Sequence, residues 1–220
     1  MRGRSRGLGL KRRGERRMSP DTRQGGHKAR RTSLLLAAMV LTLVATSGTA
    51  LAHVGTPGND LIHGSGGNDL LTGGKGDDAV HGGSGDDRVE GNAGDDLVTG
   101  SWGDDLVTGG RGDDAVLGSW GRDEVVGSSG DDALWGGSGG DVIDAGGSGD
   151  DAVWGGSGAD AINAHDGSVD VISCGAGSRD LVFYDGGLDI VAADCEDTRV
   201  SVISFQRAIS LYCRLFPKRC

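Results

Sequence analysis

An aliphatic residue returns every ninth position along the middle of the chain, at Ile62, Leu71, Val80, Val89, Val98, Val107, Val116, Val125, Leu134 and Ile143. After one extra residue near Ala145 the series resumes at Val153 and Ile162, and longer units place Ile172, Val182 and Val191. A fixed short period marks a repeat architecture, in which each unit buries its apolar residue only against a neighbour. In Gly82-Gly83-Ser84-Gly85-Asp86-Asp87-Arg88-Val89-Glu90 the first six residues read as a turn and the last three as a short strand. Strand side chains alternate, so Val89 faces inward while Arg88 and Glu90 face out. Two such units give a coil of about eighteen residues, and successive coils lie parallel, about 4.8 Å apart. The predicted fold is all-β: a single-domain parallel β-roll or β-helix solenoid built from Gly/Asp-rich nonapeptides.

The polar positions keep the same register. An aspartate stands two places before each aliphatic residue, at Asp60, Asp69, Asp78, Asp87, Asp96, Asp105, Asp114, Asp123, Asp132, Asp141, Asp151 and Asp160, and again at Asp170, Asp180 and Asp189. Glycines precede it at fixed offsets. Glycine permits the positive φ angles of a tight turn and lets carbonyls converge on one point. Stacked coils would then carry Asp60, Asp78, Asp96, Asp114 and Asp132 along one edge and Asp69, Asp87, Asp105, Asp123 and Asp141 along the other.

With 44 glycines in 220 residues and 4% aromatics the chain could pass for a disordered segment, but the strict period argues for an ordered stack. Charge sharpens the picture. Residues 1–52 hold 12 of the 22 Lys and Arg but only two of the 32 acids, Glu15 and Asp21. From His53 onward 30 acids face 10 bases, a net charge of about −20. So acidic a surface repels itself unless cations neutralise it, and nucleic acid or anionic membrane are poor partners for it.

Turns that supply carboxylates and backbone carbonyls, without His or Cys, suit Ca²⁺, a hard cation taking six to eight oxygens. The array resembles the calcium-binding nonapeptide repeats of the RTX family, whose units form a parallel β-roll; the resemblance covers about 137 of 220 residues. It implies several Ca²⁺ ions, each shared between the aspartate of one turn and the Gly-x-Asp stretch of the stacked turn, Asp60 with Asp78, Asp69 with Asp87, and so on up both edges. The extra acids at the preceding position, such as Asp77, Asp86, Asp95 and Asp104, add oxygens or solvate the edge. Arg122 at that place weakens its local site. Metal-free, the chain is expected to be unfolded.

Residues 1–52 read as a signal peptide: a basic flank ending Lys28-Ala29-Arg30-Arg31, the apolar run Leu34 to Val44, and Ala50-Leu51-Ala52 as cleavage site. Met18 offers a second start, and Arg30-Arg31 permits a twin-arginine reading. The apolar run is too short to span a bilayer comfortably, so the mature chain is expected to be extracellular and without a membrane span. Residues 53–163 form the array, 164–199 degenerate closing repeats, and 200–220 a tail or cap. Four cysteines in an exported chain suggest disulfides. Of the three pairings, Cys174 with Cys195 across adjacent coils and Cys213 with Cys220 at the tail are favoured, giving a disulfide-closed cap.

The outliers are few. Trp102 and Trp120, and likewise Trp135 and Trp154, are spaced to stack on each other; as exposed aromatics they also allow contact with carbohydrate, a cell wall or a second copy. Leu61, Leu70, Leu97 and Leu106 make the outer faces more apolar than a solvated sheet needs. His63 and His81 neighbour each other on an outer face, a placement that allows a Zn²⁺ or Ni²⁺ site, with solvated surface histidines as the expected reading. Gly136-Gly137-Ser138-Gly139-Gly140 satisfies G-x-S-x-G without assignable triad partners, and Arg111-Gly112-Asp113 is explained by register. No H-E-x-x-H stretch and no P-loop occurs, and no enzyme is expected. The expected role is calcium binding, with a cell-surface structural or adhesive protein as the alternative and an accessory remnant of a cytolysin or hydrolase behind it.

Overall fold

The computed structural model describes residues 50–177 and 179–200. The basic flank, the apolar run and the predicted Cys213–Cys220 pair lie outside the described residues. Each repeat folds into one strand and one sharp corner: β3 (Leu70–Lys75) and β4 (Ala79–Ser84) are joined by only Gly76, Asp77 and Asp78. The strands are therefore six residues long in most units, where the sequence predicts three. The backbone ladder continues through the glycine pair, with Gly74 in register with Asn92 and Gly83 with Ser101. Without side chains there, neighbouring coils approach closely enough to keep hydrogen-bonding.

Alternate strands go to opposite sheets. The nine odd-numbered strands from β1 (Ala52–Val54) to β17 (Asp197–Val200) make one parallel sheet in strict order. The eight even-numbered strands from β2 (Leu61–His63) to β16 (Ile190–Val191) make the other. A coil is one strand from each, and about eight coils stack into a solenoid. β1 begins at Ala52, so the predicted cleavage would leave only His53 and Val54 of that strand.

Between the sheets lies a single file of aliphatic side chains. Ile62, Leu71, Val80 and their successors to Val182 are each at most 3% exposed. The extra residue near Ala145 is absorbed as a bulge: Gly146 pairs with Ser128 and Ser148 with Ser129, leaving Gly147 unpaired. Alternation downstream is preserved, so Val153 and Ile162 still face inward.

Toward the C-terminal end the inward position before the second glycine admits Ala145, Ala164 and Cys174, all buried. Cys174, in β14 (Val171–Gly177), is bonded to Cys195 with their Cα atoms 5.1 Å apart, the pairing the sequence favoured. The disulfide packs against the interior beside Val191, the partly buried aliphatic residue in register with Ile172.

The outer faces differ. Along the even-numbered sheet, one row reads Leu61, Ala79, Leu97, Ala115, Ala133, Ala152, Val171, Ile190 without a charge. The matching row of the odd-numbered sheet is broken by Arg88 between Leu70 and Leu106 and by Glu124 beyond. Burial sets the energetic contrast between inside and outside. Leu134→Ala is expected to destabilise the roll by about 2–5 kcal/mol, while Leu97→Ala on the outer face changes stability by about 0.5 kcal/mol or less; denaturant unfolding in calcium measures both.

Candidate metal centre

The predicted edge aspartates are not at the surface. Asp69, Asp78, Asp87, Asp96, Asp105, Asp114, Asp123, Asp132, Asp141, Asp151 and Asp160 are each at most 3% exposed, as are Asp170 and Asp180; Asp60, in the first coil, is half-buried. Each carboxylate turns inward at its corner and accepts a backbone N–H from the coil before it. Asp60 N–H donates to Asp78 Oδ1 at 2.7 Å, Asp78 to Asp96 at 2.7 Å, and Asp96 to Asp114 at 2.8 Å. The series continues from Asp114 to Asp132, Asp151 and Asp170. The other edge repeats it from Asp69 through Asp87, Asp105, Asp123, Asp141 and Asp160 to Asp180. The pairs named from the sequence, Asp60 with Asp78 and Asp69 with Asp87, are thus joined.

Only one oxygen of each carboxylate is used in this way. The Oδ2 atoms of Asp78, Asp87, Asp96, Asp105, Asp114, Asp132, Asp151, Asp160 and Asp170 are buried and accept no hydrogen bond. Such an atom costs about 1–3 kcal/mol when neutral and more when charged. Around it the chain leaves no room for a side chain. A Cβ on Gly82 would stand 2.6 Å from Asp87 Oδ2 and 2.6 Å from the Gly100 carbonyl oxygen of the next coil. A carboxylate oxygen and a carbonyl oxygen therefore face the same glycine, repeat after repeat. This donor set fits Ca²⁺, which takes carboxylates and main-chain carbonyls together. Among the described residues no three acidic or histidine side chains converge on one point, so an ion at these corners would draw much of its shell from carbonyls.

The acids one place earlier have a role that composition did not reveal. They form a second, outer ladder of opposite direction. Asp95 N–H donates to Asp77 Oδ1 at 3.2 Å, Asp104 to Asp86 at 3.0 Å, and Asp113 to Asp95 at 3.0 Å. Inner carboxylates bond the coil before, outer ones the coil after. Arg122 keeps this pattern with its own N–H on Asp104 Oδ1 at 2.8 Å, and its guanidinium meets Asp104 Oδ2 at 2.9 Å. At the C-terminal end Asp189 receives Asp170 N–H, and the longer Glu196 receives the N–H groups of Arg179 and Asp180.

These geometric findings agree with a family model. The RTX calcium-binding nonapeptide repeat matches in four copies, over residues 54–89, 81–116, 117–147 and 145–168. The chain belongs to the RTX calcium-binding repeat family. A comparison with curated proteins found no significant match. RTX membership accounts for the calcium expected as partner of these corners, and for a roll that is a structural, calcium-binding fold.

The remaining residues singled out in the sequence fall into place on the RTX roll. Trp102 and Trp120 stack with centroids 4.2 Å apart and planes 12° apart, and Trp135 and Trp154 at 4.8 Å and 6°. Ser138 ends a strand in the row of Trp120 and Ser157, and the described residues contain no helix to form a nucleophile elbow. Asp113 of Arg111-Gly112-Asp113 is held in the outer ladder. No helix among the described residues is long and apolar enough to cross a membrane.

Burial has an electrostatic consequence. Desolvation, opposed by the accepted backbone N–H and reinforced by neighbouring aspartates, raises Asp78, Asp87, Asp132, Asp160 and Asp170 to about 6. The same causes raise Asp105, Asp114 and Asp151 to about 7. Unfolded aspartate titrates near 3.9. A raised folded-state pKa means that the stacked form binds protons more tightly than the open chain. Its stabilising contribution is complete below about pH 4 and lost as pH rises through 6 to 7. Metal-stripped protein is thus expected to show more strand signal by circular dichroism at pH 4.5 than at pH 8; equal signals would contradict this account.

Proposed function

We propose that this chain is a secreted calcium-binding protein whose roll folds as its corners take up several Ca²⁺ ions, with no catalytic role. The row of buried carboxylate oxygens without an N–H to accept carries the reading. At neutral pH the inner carboxylates must either keep protons or meet cations, because stacking like charges along each edge is unfavourable. Glycine adds to the difficulty, since ordering it loses more backbone entropy than any other residue. Residues 1–52 serve as the signal peptide in this reading, residues 53–163 as the metal-binding array, residues 164–199 as its closing repeats and residues 200–220 as the tail. The disulfide is at home outside the cell. Where free calcium is low the chain remains open and exportable; outside, at roughly 10⁻⁴ to 10⁻³ M calcium, it folds.

Circular dichroism and native mass spectrometry along a calcium titration at pH 7.5 test this. Strand signal is expected to appear together with several bound ions and to vanish in chelator. Asp105→Asn separates the two halves of the argument: the amide keeps an oxygen for Asp87 N–H and removes the buried charge. The variant is expected to gain strand signal without metal and to bind fewer ions. Strand content independent of calcium, or no ion uptake, would sink the proposal.

A second reading, a structural or adhesive surface role, is favoured by the charge-free face of the even-numbered sheet. Eight strands of two to seven residues, about 4.8 Å apart, give roughly 700 Å², close to the ~800 Å² that each partner contributes to a standard interface. Self-association fits better than carbohydrate stacking, because each tryptophan already covers one ring face of its neighbour. Sedimentation in calcium is expected to show a dimer that Leu97→Glu with Leu117→Glu converts to monomer.

A further inference from the structure

The first two strands of the even-numbered sheet place two imidazoles side by side on its outer face. His63 and His81 are register partners, both exposed, with ring centroids 5.6 Å apart and planes at 66°. Among the described residues β2 is the last strand of this sheet, with no strand beyond it on that side. A zinc–nitrogen bond of about 2.0–2.1 Å places a metal about 3.2 Å from an imidazole centroid, and two rings sharing that metal at a tetrahedral angle stand about 5.2 Å apart. The observed spacing is within a few tenths of an ångström of that requirement, and in the calcium-folded roll the sheet's register sets it before zinc arrives.

We propose that His63 and His81 form a two-imidazole site for one divalent late transition-metal ion of the zinc, nickel and copper class, distinct from the calcium corners. Ligand chemistry separates the two kinds of site. Imidazole suits zinc, nickel and copper, whereas carboxylate and carbonyl oxygens suit calcium. Position separates them as well: Val80 points into the core beside the carboxylate ladder, and His81 points the opposite way. The Ser101 hydroxyl lies 3.2 Å from His81 Nδ1 and 3.3 Å from Nε2, a polar contact that steadies the ring from the neighbouring strand. Both ring nitrogens of His81 face Ser101, so reaching the shared ion gives up this contact through rotation about χ2, a broad torsion for histidine. Water completes the coordination on the solvent side. The pair depends on the register of β2 with β4, and so rests on the calcium-folded roll proposed above.

The test is calorimetric titration of zinc chloride into the full chain with calcium held at about 10 mM, above the range of extracellular calcium sites, so that the carboxylates are already occupied. One zinc ion per chain is expected. His63→Asn and His81→Asn should each weaken it at least about tenfold, since one imidazole loses the advantage of the other. The double variant should take up none at the same concentrations. Unchanged far-ultraviolet dichroism in calcium shows that these surface variants keep the roll. The proposal is overturned if the unaltered chain binds no zinc, if the double variant binds it as tightly, or if binding is lost instead with His165→Asn, whose imidazole contacts Asp185 Oδ1 at 2.5 Å.

Discussion

One hydrogen bond, repeated along both edges, organises this molecule: a buried aspartate oxygen accepting a backbone N–H from the coil before. The bond sews each corner to its neighbour, and it does so with a group that carries charge into the interior. At Asp78, Asp87, Asp96, Asp132 and Asp160 the second oxygen accepts no hydrogen bond and faces a glycine and a carbonyl. Stability and metal demand therefore come from one residue. The same constraint explains which glycines are fixed. Position one of the repeat faces the carboxylate in the nine-residue units and admits Ala145, Ala164 and Cys174 only in the longer ones, and position four backs onto the preceding coil; a Cβ on Gly103 would stand 2.1 Å from the Gly85 carbonyl oxygen. Position two is more tolerant, since Asn92, Ser101, Ser119 and Ser128 occupy it at φ of 84° to 96°.

Two ladders of opposite sense give the corners their rigidity. An inner carboxylate ties its coil to the one before, and an outer carboxylate ties it to the one after, so each stacked pair is bridged twice. Where the stack ends, the ladder cannot simply stop. Asp189 ends one edge at its usual spacing, while Glu196 reaches the other with one more methylene. Beside them the Cys174–Cys195 bond ties the last two described coils together covalently.

The two sheets share one backbone design and differ only in what faces outward. The odd-numbered sheet carries Arg88, Glu90 and Glu124, with Arg88 and Glu90 paired at 2.8 Å. The even-numbered sheet carries leucine, alanine, tryptophan and the histidine pair. Acid is thus confined to corners and one face, which leaves the other face as the approach least opposed by charge.

Much of this was written in the sequence. Nine-residue periodicity fixed the strand-and-corner plan, the inward aliphatic residues and the two aspartate series, because each follows from local geometry repeated from unit to unit. Strand length was misjudged, since whether glycine pairs extend a ladder depends on how closely the next coil approaches. The burial of the aspartates, their bare second oxygens and the opposite sense of the outer ladder were likewise decided by stacking. They arise only when residues eighteen apart in sequence come within hydrogen-bonding distance, and no single repeat contains that information.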